Sequence, residues 1–142
     1  MAALLDVSAL IALLDPEHSK HREMASWFIR ESERGWATCP LTQNGFLRIV
    51  TGPRYANPLP PAQAWDALAS ACDLASHQFW PCDLSLLDRS RFDPGRITGP
   101  AQLTDAYLLG LAVERGGSFV TLDRRISPYS VPGAAAEHLA TL

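Results

Sequence analysis

The sequence predicts an α/β fold, a three-layer α/β/α sandwich with a central parallel sheet of four to five strands, in which residues 1–142 form one domain. Three observations carry that expectation. Short apolar runs alternate with stretches of helical spacing, at a pace that gives each strand a crossover helix and covers the sheet on both faces. Gly and Pro cluster between those stretches. Two of the apolar runs, residues 2–5 and 118–122, end directly on an aspartate, at the strand edge where such folds place their ligands.

The elements follow in order. Residues 2–5 read as a strand ending at Asp6, and Val7 to Leu14 shows helical spacing through Leu10, Ile11 and Leu14. Asp15-Pro16 stops that helix, and a second covers about Ser19 to Glu33, closed by Gly35. Trp36 to Cys39 reads as the second strand. Pro40 starts a helix that carries Leu41, Phe46, Leu47, Ile49 and Val50. Residues 51–61 are dense in breakers and form a loop. A helix follows, because Trp65, Leu68, Cys72 and Ala75 fall on one face. Gln78 to Trp80 gives a third strand, Ser85 to Ser90 a short helix, and residues 93–100 a second loop. Thr104 caps a helix that runs to about Arg115, with Gly116-Gly117 as its stop signal. Ser118 to Leu122 is the fourth strand, and a short fifth is weakly signalled near Ala136 to Leu139.

Composition bounds the function. No apolar run is long enough for a membrane span, and Met1 leads into a strand rather than a basic leader, so the expectation is a soluble, unprocessed protein. Cys39, Cys72 and Cys82 are odd in number and lack paired spacing, which indicates neither a disulfide framework nor a zinc site and fits the reducing cytoplasm. The formal charge of -3 argues against broad electrostatic capture of nucleic acid, though not against a nuclease. Eleven of the twelve basic residues are arginine, the better bidentate partner for phosphate, although a GC-rich genome produces the same bias.

Asp6, Asp105 and Asp123 are the candidate site. Each has a structural explanation alone: Asp6 as a helix cap, Asp105 as a first-turn acid favoured by the helix dipole, and Asp123 as a turn former after a strand. Together they place two carboxylates at strand ends and a third on the helix leading into the second of those strands. Carboxylates brought that close repel by several kcal/mol unless a cation joins them. An oxygen-rich acidic pocket suits a hard divalent ion, Mg²⁺ or Mn²⁺.

The chain resembles the PIN-domain ribonucleases, and in particular the toxin of VapBC toxin–antitoxin pairs. Asp6-Val-Ser8-Ala-Leu10 is similar to that family's opening motif, Thr104-Asp105-Ala-Tyr-Leu-Leu109-Gly-Leu-Ala112 to its central one, and Val120-Thr121-Leu-Asp123-Arg124 to its last. The stretch from Cys39 to Arg48 matches a segment common among these toxins. The resemblance implies a PIN-like fold and Mg²⁺- or Mn²⁺-dependent hydrolysis of RNA phosphodiester bonds. It implies Asp6 and Asp105 as principal metal ligands, with Asp123 binding through water or orienting the nucleophile. Ser8 and Thr121 would support these groups by hydrogen bonds. A cognate antitoxin and a homodimer are the implied protein partners, both using apolar grooves between the early helices. One departure stands out. The family's usual glutamate after the second strand is matched here by Gln43, whose amide oxygen holds a cation less strongly, so the expectation is one well-held ion.

Further residues are candidates for contact with RNA. Arg48 shares a helix face with Asn44 and suits a phosphate or a salt bridge, and Arg54 and Tyr55 in the Pro-rich loop either form part of a solvated connection or suit phosphate and base. Arg124 and Arg125 directly follow Asp123, and one of them suits substrate or, as the family resemblance implies, the partner protein. His18 and His21 read as solvated surface, and Trp27, Phe28, Trp65 and Trp80 as core. Three rivals remain. An aspartyl phosphatase wants an acid where Ser8 stands, and a receiver domain wants a late lysine, which this chain lacks after Lys20. The third is a PIN-like protein with a weakened site that binds RNA or a partner without cleaving, and Gln43 is the feature that favours it.

Overall fold

A computed structural model describes residues 1–142. Its five strands, β1 (Ala3–Leu5), β2 (Trp36–Thr38), β3 (His77–Phe79), β4 (Ser118–Thr121) and β5 (Leu139–Thr141), form one sheet in the order β3-β2-β1-β4-β5. Every pairing is parallel. The strand order reverses between β1 and β4, and the crevice beyond their C-terminal ends is where an open α/β sheet receives a ligand. Leu5 pairs with Val120 in that register, so the chain leaves both strands side by side, toward Asp6 and toward Asp123.

Alternation along β1 sorts the core into two layers. Ala3 and Leu5 pack with α1 (Val7–Leu14), α2 (His21–Glu31), α3 (Pro40–Val50) and α4 (Pro61–Cys72). Leu4 packs on the opposite face with Phe119 and α5 (Leu103–Glu114). Residues Ala106 to Ala112 of α5 are buried without a break, which explains why this helix is apolar nearly all round. Gly110 makes that packing possible. A Cβ there would lie 2.5 Å from the ring of Phe92, which is itself buried and stacked on Tyr107.

The structure departs from the sequence expectations in four places. No helix forms over residues 85–90, because the side chains of Ser85 and Asp88 accept from the backbone amides of Leu87 and Ser90 and hold two turns instead. The buried face of α4 is Ala64 and Leu68 rather than the row through Trp65, whose side chain is 63 % exposed; Trp27 and Trp80 are buried as expected. Thr104 does not cap α5, which begins one residue earlier. The fifth strand starts at Leu139, after a single 3₁₀ turn at Ala136–His138. No helix of the protein is long and apolar enough to cross a membrane.

Because Gly110 holds α5 against Phe92, Gly110→Val should destabilise the fold by about 1–3 kcal/mol through overpacking. Urea unfolding measures this. An unchanged midpoint would mean that the layer between α5 and Phe92 is loose enough to yield.

Candidate active site

Asp6 is the N-cap of α1. Its extended backbone turns the chain out of β1, and its Oδ1 accepts from the Val7 amide at 2.7 Å. The other oxygen, Oδ2, accepts from the hydroxyl of Thr121 at 2.6 Å and from that of Ser8 at 3.2 Å. Ser8 Oγ in turn accepts from the Leu122 amide, and Thr121 Oγ1 from the Asp123 amide. The structural and functional readings of Asp6 thus coexist. The carboxylate caps a helix and also ties the end of β4 to the end of β1.

Burial pushes the Asp6 carboxyl up from its ordinary range, against the pull of the Thr121, Val7 and Ser8 hydrogen bonds, and the charge of Asp123 adds to the rise. Asp105 stands in the first turn of α5 and is half-buried. Its carboxyl is pushed up to about 6, first by burial and then by the charges of Asp6 and Asp123; Arg125 works in the opposite direction. Asp123 lies beyond β4. Arg125 grips it through Nε at 3.0 Å and Nη2 at 2.9 Å, which holds the Asp123 carboxyl below the usual carboxylate range.

The three aspartates therefore share one edge of the sheet and act on one another, yet no three acidic, histidine or cysteine side chains stand together as a ready metal cage. That differs from convergence of all three on a single point. The physical reason is visible in their partners: Asp123 has turned its charge onto Arg125, while Asp6 is neutralised in part by hydrogen bonds. Asp105 has no hydrogen-bonding group acting on its carboxyl, only burial and charge. An all-oxygen pair, Asp6 and Asp105, that raises its own proton affinity fits a hard divalent cation, which would remove the repulsion. Asp123 joins them only by releasing Arg125.

Gln43 lies on the first turns of α3, and its Nε2 donates to the buried Thr38 hydroxyl at 3.0 Å, which also meets His77 Nε2 at 2.8 Å. The amide is thereby oriented by β2 and β3. Arg48 and Arg54 are exposed, and Arg124, also exposed, acts on Glu23 at the start of α2. Tyr55 is held inside the Pro-rich loop, its hydroxyl donating to Asp15, so it braces the loop on the helices. His21 Nδ1 meets the Ala12 carbonyl oxygen at 2.8 Å.

Sequence reasoning passed over a cavity of about 330 Å³ that opens on Asp105 and Asp123, between residues 95–102 and 125–130. Arg96, Gln102 and Tyr129 line it. Only an arginine and a tyrosine, each within a Pro-initiated turn, signalled these positions in the chain.

Comparisons with known proteins bear on the family and on the fold. A family model described as PIN domain matches residues 3–131. Among curated proteins of Mycobacterium tuberculosis, the chain is 50 % identical over 142 residues to Ribonuclease VapC44, covering all of both chains. It is 38 % identical over 134 residues to Ribonuclease VapC39, covering 94 % of this chain and 96 % of that one. It is 42 % identical over 122 residues to Ribonuclease VapC38, covering 85 % and 84 %. Among solved structures, the crystal structure of VapBC2 from Rickettsia felis bound to a DNA fragment from their promoter superposes with a TM-score of 0.63 at 10 % identity, covering 100 % of this chain and 99 % of that one. That likeness concerns the fold.

A prediction follows from Asp105. The folded protein binds the Asp105 proton more tightly than the unfolded chain does, so this group's effect is stabilising at low pH and turns into a penalty as pH rises through the interval between the two pKa values. Solvent screening at a half-exposed carboxylate leaves about 1 kcal/mol of that penalty at about pH 7. In chelator-containing buffer, Asp105→Asn should melt above the wild type near pH 7, and the two should converge near about pH 4. Identical melting temperatures at both pH values would show that the carboxylate is not under charge stress.

Proposed function

The chain belongs to the PIN-domain family, and on that footing we propose that it is a metal-dependent endoribonuclease toxin, hydrolysing RNA phosphodiester bonds and neutralised by a cognate antitoxin. The observation that carries the reading is Asp105, a carboxylate under charge stress beside buried Asp6 at the switch point of the sheet. Full-length identity of 50 % to a protein named as a ribonuclease supports RNA as the substrate. A cytoplasmic setting, a homodimer and tRNA or another structured RNA as target complete the proposal.

Asp6 and Asp105 would hold Mg²⁺ or Mn²⁺. When bound, the ion supplies Lewis-acid stabilisation of charge developing on the phosphoryl and leaving oxygens, and it makes water a competent nucleophile near neutral pH. The protein's own residues provide the positioning. Thr121 and Ser8 fix one oxygen of Asp6 and leave its remaining lone pairs to face the site. Asp123, once freed by movement of the 89 % exposed Arg125 side chain, is placed to orient water by accepting its proton in a hydrogen bond. Arg125 then becomes available to a phosphate. Gln43, with its nitrogen committed to Thr38, keeps its amide oxygen as an acceptor for the ion or for a water on it.

The non-catalytic alternative rests on Gln43, because that position contributes one negative charge fewer to the site. Cleavage of total RNA by the purified protein separates the two readings. Asp6→Asn keeps one oxygen to accept from the Val7 amide as N-cap and turns its Nδ2 as a donor toward the Thr121 hydroxyl, so the fold should persist while cleavage and its stimulation by divalent cations fall to background. Cation-dependent activity at the wild-type level in that variant would remove Asp6 from the site. Gln43→Glu should lower the Mg²⁺ concentration for half-maximal activity about tenfold, on the order of one added close charge interaction. An unchanged requirement would place residue 43 outside the ion's reach.

A further inference from the structure

The cavity beside Asp105 and Asp123 has two walls, each a self-contained turn. In one, Asp93 caps the turn at Pro94–Arg96; in the other, Ser127 caps the turn at Pro128–Ser130. Arg96 bridges them. Its Nε faces Asp93 Oδ2 at 3.4 Å, its Nη1 donates to the Tyr129 carbonyl oxygen at 3.4 Å, and its guanidinium lies 4.9 Å from the centre of the Tyr129 ring. The cation is thus pinned on three sides with Nη2 left over for a ligand. Tyr129 is 67 % exposed. Arg96 lies over the ring, and most of the residue stays exposed around that contact.

Gln102 contributes a third feature. Its Oε1 accepts from both the amide and the hydroxyl of Thr98, at 2.8 and 3.1 Å, so its amide nitrogen keeps its protons for something else. A guanidinium, an exposed aromatic ring and an amide donor around one cavity form the chemistry that binds a nucleotide: a fork for phosphate, a platform for the base and a donor for a base edge or ribose oxygen. The acidic side of the same cavity repels a free phosphate anion. It accepts a nucleotide whose neighbouring phosphodiester lies at the Asp6–Asp105 edge with its cation. A volume of about 330 Å³ sits at the small end of ligand pockets, the size of one nucleotide rather than a duplex.

We propose that this cavity is a subsite for one nucleotide of single-stranded RNA adjoining the cleaved phosphodiester, with the base stacked on the ring of Tyr129 and the phosphate held by Arg96. The subsite rests on the ribonuclease reading for its position beside the scissile bond. It moves substrate selection to the two turns at 93–102 and 127–130, away from the exposed arginines at 48, 54 and 124.

Two measurements on the full chain test this. Fluorescence anisotropy follows binding of a short, mixed-sequence single-stranded RNA with Ca²⁺ present, a hard cation that offsets the charge of the acidic edge, and cleavage of the same RNA is followed with Mg²⁺ or Mn²⁺ in its place. Tyr129→Ala should raise both Kd and KM about tenfold with kcat unchanged, and Tyr129→Phe, which keeps the ring, should restore wild-type values. Arg96→Ala should weaken binding and reduce the slope of log affinity against log salt by about one. Wild-type affinity in both alanine variants, with RNA still cut, overturns the subsite and leaves the ribonuclease standing. Binding that depends on Tyr129, in a protein that cuts no RNA with either cation, supports the subsite as an RNA contact and overturns the ribonuclease reading instead.

Discussion

One buried carboxylate organises the functional end of this molecule. Asp6 leaves β1, caps α1 and accepts from Thr121 at the end of β4, so a single side chain couples the central strand, the first helix and the neighbouring strand across 115 residues of sequence. Burying a charge at that junction is costly, and three hydrogen bonds only partly offset the cost. The remainder makes the edge receptive to positive charge. Asp105 and Asp123 increase that receptivity because each is close enough to act on Asp6 or on the other.

The chain answers the charge stress unequally. Asp123 has an internal counter-ion in Arg125, whereas Asp105 has neither a hydrogen-bond donor nor a cation acting as its main partner, since burial and two like charges outweigh the contribution of Arg125. A divalent ion at Asp6 and Asp105 would remove most of the repulsion in one step. On the proposed reading, Arg125 would then be free to face substrate, and one exposed side chain would link ion binding to RNA binding. Gln43 fits the same economy. It brings no charge of its own, and its amide nitrogen is committed to Thr38.

Much of this was legible in the chain. The apolar runs before Asp6 and Asp123 are strands at the sheet's centre, and their aspartates emerge where the strand order reverses, as the alternation of elements implied. The short motifs around Asp6, Asp105 and Asp123 also identified the family. What stayed hidden depended on side chains distant in sequence. The turns that replace a helix at 85–90 are set by Ser85 and Asp88 bonding to nearby amides, a local competition that helical spacing does not register. Trp65 reads as core by hydrophobicity, yet α4 turns Ala64 and Leu68 inward and leaves Trp65 largely exposed. The Arg96–Tyr129 contact joins residues from two separate loops, and neither loop alone gives a reason to pair them.

The placement of the cation is the claim on which the chemistry depends, and paramagnetic relaxation by Mn²⁺ tests it most directly. In an amide-resolved spectrum, low Mn²⁺ should broaden the signals of residues 6–8, 105–106 and 121–123 before all others, and Mg²⁺ in excess should restore them. Broadening centred elsewhere, or spread evenly over the surface acids, would contradict a metal centre at the Asp6–Asp105 edge.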